Sequence, residues 1–129
     1  MMRYLTSFTN LAMSGLLAGS MALLPNSALA QDKYVKSIKI YDTYCVQCHG
    51  VNRDGNGINS KNMSVKPRDH TDSKAMGDTP DDTLFKAIKE GGLAVSKSVL
   101  MPKWGGVLDD NQIKEMVSYL RFVSKTGVQ

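Results

Sequence analysis

The sequence predicts an all-α domain of three to four helices joined by long loops. Apolar residues recur at helical spacing in three separate stretches. Caps open two of them and a glycine pair stops one, and no segment alternates convincingly as a strand.

The chain opens with "MMRYLTSFTNLAMSGLLAGSMALLPNSALA", which stands apart from the rest. It carries one charge, Arg3, then an apolar run from Leu11 to Leu24, then Pro25 and the small residues around Ala28-Leu29-Ala30. This is the pattern of a secretory signal, with cleavage expected after Ala30. The run of 14 residues is short of the roughly 20 that a spanning helix needs, so no membrane span is expected after cleavage. Residues 31–129 then form one small domain with a net charge of +3, since Arg3 is the one charged residue removed.

The first helix is expected from about Asp32 to Cys45. Val35, Ile38, Tyr41 and Cys45 make its apolar stripe, while Lys33, Lys36 and Asp42 face water. Residues 50–78 read as a long loop rich in Gly, Asn, Asp and Pro, with Asp54-Gly55 and Asn56-Gly57 as turns. A loop this long in a compact domain is usually functional or wrapped around something. The second helix starts at "TPDDTLFKAIKEGG": Thr79 is the expected cap, with Pro80 at the first helical position and Asp81 and Asp82 at the positive end of the dipole. Leu84, Phe85 and Ile88 are its buried face, and Gly91-Gly92 stop it. The third helix follows Asp109, with Gln112 completing a capping box and Leu108 and Ile113 a hydrophobic staple. Ile113, Met116, Val117, Leu120 and Val123 form its stripe.

The basic residues are scattered rather than clustered, which fits nucleic-acid binding poorly. They suit a solvated surface, or a weakly positive face for an acidic partner. A domain of this size buries a limited share of its surface and often needs a staple or a large prosthetic group. A disulfide between two cysteines so close in sequence would stabilise little.

Those cysteines lie in "CVQCHG", Cys45 to Gly50. Three chemistries use such a cluster. A dithiol redox pair expects a βαβ setting with the first cysteine at a helix N-terminus, whereas Cys45 follows a helix. A zinc site would need Cys45, Cys48, His49 and the distant His70, with adjacent ligands awkward for one tetrahedral ion. Covalent haem attachment uses every residue: two thiols spaced for two vinyl groups, and an imidazole directly behind the second.

With His49 on one side of the iron, a second axial ligand is sought among His70, Met63, Met76, Met101 and Met116. Met116 falls on a helical core stripe, and Met63 and Met76 fall in the loop. Met101 sits in "SVLMPKWGG", stiffened by Pro102 and followed by Trp104, 52 residues beyond His49. It is the favoured distal ligand, and His70 is its rival, which would lower the potential.

At this point the chain resembles the class I monohaem cytochromes c of bacteria, from about residue 34 to 123. "IYDTYCVQCHGVNRDGNG", "DDTLFKAIKEGG", "LMPKWGG" and "LDDNQIKEMVSYLR" carry the resemblance. It implies the cytochrome c fold around one haem c, with thioethers at Cys45 and Cys48, proximal His49 and distal Met101. It also implies that the first and last helices cross near Tyr41 and Tyr119, and that the Pro67 carbonyl accepts the proximal imidazole N–H. The family often has glycine eight residues before the first cysteine; here that position is Ser37, which implies a wider or shifted crossing.

An iron with both axial positions filled suits a soluble periplasmic electron carrier rather than an enzyme. It is expected to be a monomer whose redox partners present acidic docking surfaces. Two other readings stay open. One is a haem subunit of a periplasmic dehydrogenase or oxidase complex; the other is a haem enzyme or gas sensor with a labile methionine.

Overall fold

A computed structural model describes residues 26–127, with side chains from residue 32 onward. The apolar run Leu11–Leu24, on which the signal expectation rests, lies outside the described residues. Within them the protein is all-α. Three longer helices, α1 (Asn26–Tyr44), α4 (Asp81–Glu90) and α5 (Asp110–Thr126), are joined by two short ones, α2 (Val46–His49) and α3 (Ser73–Gly77). Single 3-10 turns occupy Ile58–Asn62 and Gly92–Val95.

α1 and α5 cross through aromatic rings. Tyr41 meets Tyr119 edge-on with centroids 6.0 Å apart, and Tyr34 lies 5.1 Å from Phe122 and 5.7 Å from Tyr119. Ser37 is buried on the same face of α1. The buried stripe therefore runs through Tyr34, Ser37, Ile38 and Tyr41, and Val35, expected in it, is 57% exposed. An amphipathic phenol tolerates the rim as well as a valine does: Tyr34 takes the inward position and keeps its hydroxyl on Ser118 Oγ at 3.2 Å.

The start of α5 follows the sequence closely. Asp109 Oδ1 accepts from the Gln112 N–H, and Gln112 Oε1 accepts from the Asp109 N–H, both at 2.9 Å. Leu108 and Ile113, the expected staple, are both buried. The start of α4 does not. Pro80 is its N-cap, and the Thr79 hydroxyl turns back to the Ala75 carbonyl at the end of α3.

The segment read as one long loop contains both α3 and the 58–62 turn. Asp72 caps α3 by accepting from the Ala75 N–H at 2.9 Å. α3 brings Met76, expected in a loop, to 0% exposure in the core. Arg121 of α5 clamps this corner, donating to the carbonyls of Met76 and Thr79 and to Asp81.

Candidate functional site

Cys45 ends the α-helical path of α1 and Val46–His49 follows as a single turn, with the His49 N–H donating to the Cys45 carbonyl at 2.9 Å. This turn is backed closely by the next loop. The Gly57 N–H donates to the Cys48 carbonyl at 3.0 Å. A Cβ at Gly57 would lie 2.4 Å from the Gln47 carbonyl oxygen and 2.6 Å from that of Cys48, so only glycine permits the approach.

Both thiols are free. Burial, with Cys48 and Asp42 nearby, pushes the Cys45 thiol up to about 12. A reactive dithiol needs a lowered thiol pKa, so Cys45 is held in the opposite direction. Among the described residues no group of three or more Cys, His, Asp or Glu is arranged to hold a metal ion.

His49 is buried and its Nδ1 lies 3.0 Å from the Arg68 carbonyl. A carbonyl only accepts, so Nδ1 carries the proton and Nε2 keeps its lone pair for a metal. Burial lowers the pKa of the ring, against the pull of that carbonyl, so the imidazole is neutral. The acceptor expected was Pro67; the structure uses the next carbonyl along, because the stretch into His70 is fixed by the His70 N–H donating to the Arg53 carbonyl at 2.7 Å.

His70 lies against His49. Their rings stack with centroids 4.5 Å apart and planes 16° from parallel. His70 Nδ1 is 3.1 Å from the Tyr41 hydroxyl. Behind them sits Arg53, buried and in the left-handed region at φ 59°. Its guanidinium donates to Tyr119 Oη and to Asp42 Oδ1, each at 2.9 Å, and to the Val51 carbonyl, and it lies 4.8 Å from the Tyr41 ring centre. Burial raises the pKa of both Tyr41 and Tyr119, which keeps both phenols protonated. No sequence pattern singled out Arg53; its place directly ahead of Asp54-Gly55 reads as a turn.

Met101 is reached by a different construction. Past α4 the chain doubles back, and the Gly92 N–H donates to the Met101 carbonyl at 3.0 Å. The Trp104 and Gly105 N–H groups donate to the Ile88 and Lys89 carbonyls at 2.9 and 3.0 Å, satisfying acceptors at the C-terminal end of α4. Trp104 packs beside Tyr44, centroids 5.1 Å apart.

Cys45, Cys48, His49, His70 and Met101 all line one cavity of about 620 Å³. Leu84, Ile88, Leu108 and Leu120 supply apolar wall, and Met63 and Met116 also reach it. Pockets for small molecules and cofactors run from roughly 300 to 1,000 Å³ and are mostly apolar with a few placed polar groups. Two free thiols, a neutral imidazole with Nε2 available and a thioether on such a wall fit a haem, whose iron takes nitrogen and sulfur ligands. Met76 is excluded from the cavity wall and packs in the core instead.

No helix of the described residues is long and apolar enough to cross a membrane. Comparisons with curated proteins and with solved structures each found no match. A comparison with protein-family models matches residues 35–120 to cytochrome C oxidase, cbb3-type, subunit III, a span that holds α2 to α4, the whole cavity wall and most of α1 and α5. The chain belongs to that family, and its domain is a haem-binding cytochrome c domain, an electron-transfer module.

Proposed function

We propose that this protein is a soluble periplasmic electron carrier with one covalent haem c, held by Cys45 and Cys48 and ligated by His49 and Met101. The observation that carries the reading is the meeting of those four side chains on one largely apolar cavity. On attachment each thiol would add across one vinyl group, its sulfur to one carbon and its hydrogen to the other, so that no oxidant would be needed. Bound haem supplies an iron that gains and loses a single electron.

The chain's residues do the rest. The Arg68 carbonyl holds the His49 proton at Nδ1 and leaves Nε2 for iron. The Gly92–Met101 backbone bond positions the thioether. The face-to-face stack with His49 argues against His70 as the distal ligand, because two stacked imidazoles leave no room between them for a tetrapyrrole. His49 and Met101 together would occupy both ligand positions of the metal and leave none for a substrate, which supports a carrier over an enzyme.

Leu93, Val99 and Leu100 are exposed near Met101, with Lys97 and Lys103 beside them. This apolar patch with a basic rim suits an acidic redox partner. The 1–30 segment supports export with cleavage after Ala30, and 31–129 as the mature domain. A second reading, a haem subunit of an oxidase complex, is favoured by the description of the matching family.

The test is expression with a periplasmic maturation system, followed by visible spectra of both redox states and extraction in acidified acetone. Pigment retained by the polypeptide, a far-red sulfur-to-ferric-iron band that Met101→Ala removes, and elution as a free monomer are expected. Pigment that extracts, or a colourless protein, overturns the haem reading. Elution only with membrane partners replaces the shuttle by the subunit.

A further inference from the structure

We infer that His70 is a positioning residue that fixes the rotation of the His49 ring about its own axis and so sets the electronic character of the iron. The inference rests on the haem reading above.

A single hydrogen bond from Nδ1 to the Arg68 carbonyl fixes the tautomer of His49 but leaves the ring free to swing about that bond. The His70 ring closes one face of it at 4.5 Å and 16°. The two contacts come from one short segment, since the Arg68 carbonyl and the His70 ring are two residues apart. Displacing either disturbs the other.

His70 is itself held on several sides. Its N–H donates to the Arg53 carbonyl at 2.7 Å, and its ring meets Tyr41 edge-on at 5.8 Å and 75°. The Tyr41 phenol has no other hydrogen-bond acceptor among the described residues, so it donates to Nδ1. Tyr41 is 1% exposed and lies under the Arg53 guanidinium, which bonds to α1 at Asp42 and α5 at Tyr119. The orientation of the His49 ring is thereby referred to the crossing of the two long helices.

Filling space would not need an imidazole. Leucine or phenylalanine would cover the face of His49 without burying a polar ring, which costs about 1–3 kcal/mol when left unpaired. Here the ring is paired, and the pairing is what fixes its angle. Ligands to a metal are oriented, and the metal tuned, by such outer contacts.

The experiment compares wild type, His70→Ala, His70→Phe and Tyr41→Phe as mature holoproteins. Pyridine haemochrome first establishes covalent haem in each, and wild type without it removes the parent reading. The readouts are the hyperfine-shifted haem methyl resonances of the ferric protein, which report the angle of the axial imidazole, together with the reduction potential and Tm. His70→Ala is expected to rearrange the methyl pattern and shift the potential. His70→Phe, which keeps a ring on His49 but loses the bond to Tyr41, is expected to recover the pattern only in part, and Tyr41→Phe, which removes the same bond, to shift it part of the way. If His70→Ala does not mature, Tyr41→Phe decides. A lowered Tm with methyl pattern and potential unmoved would reduce His70 to packing and overturn the inference.

Discussion

The two sides of the cavity are built by different means. On the His49 side, position comes from side chains: Arg53, Tyr41, Tyr119 and His70 are buried and bonded to one another across four segments of the chain. On the Met101 side, position comes from backbone: Gly92, Trp104 and Gly105 donate to main-chain carbonyls, while Leu93, Val99 and Leu100 stay exposed. A side-chain network resists rotation of a ring; a backbone stitch fixes where a loop runs but leaves its outer face open. Under the proposed ligation, the first suits a ligand whose angle matters, and the second suits a ligand beside the proposed docking surface.

Three experiments sharpen the contrast. The largest effect is expected from Gly92→Ala. Its Cβ would lie 2.3 Å from the Ser98 carbonyl oxygen and 3.1 Å from Met101 Cβ, so the loop must move. The sulfur-to-iron band of the holoprotein should be lost, with about 1–3 kcal/mol of overpacking cost in denaturant titration. Gly106→Ala, whose Cβ meets nothing within 4 Å, should leave the band in place. If both variants keep it, the backbone stitch does not hold the methionine.

Next is Arg53→Met, which keeps bulk but removes the donors to Tyr119 and Asp42. A loss of about 2 kcal/mol is expected, mostly from the unpaired Tyr119 hydroxyl, with the band unchanged. Asp42 contributes little of this because its side chain is 52% exposed. Loss of the band in Arg53→Met would show that the two sides are coupled.

The smallest effect concerns alkali. Burial raises the folded-state pKa of Tyr41 and Tyr119 above the ordinary 10.0, so above pH 10 the unfolded chain releases these protons first. Their contribution is intact below that pH and is lost as pH climbs. Urea unfolding at stepped alkaline pH should show falling stability, with a shallower fall in Tyr119→Phe. Equal slopes in both proteins would mean that Tyr119 titrates as it does in the unfolded chain.

Much of this was legible in the sequence, and the parts that were not share a cause. CVQCHG, the Asp109 capping box, the Gly91-Gly92 stop and the Met101 segment are local patterns; the capping box and the stop appear where expected, and CVQCHG and Met101 line one cavity. The misplacements depend on distant partners. Val35 was expected in the stripe, but α5 offers Ser118 and Phe122 to Tyr34 instead. Met76 looked like a loop residue because α3 is one turn long and is held from outside by Arg121. Pro67 gave way to Arg68 as acceptor through a bond between residues 53 and 70. For α3 there was one local hint, Asp72 as a cap.

The guanidinium of Arg53 and the hydroxyl of Tyr119 are separated by 66 residues, about two-thirds of the length of the domain. Stiffness on the imidazole side is therefore a property of the whole chain, delivered late, because distant segments must meet before it exists. A polypeptide ending ahead of Tyr119 would retain both thiols, the imidazole and the thioether, yet lack the brace that aligns them.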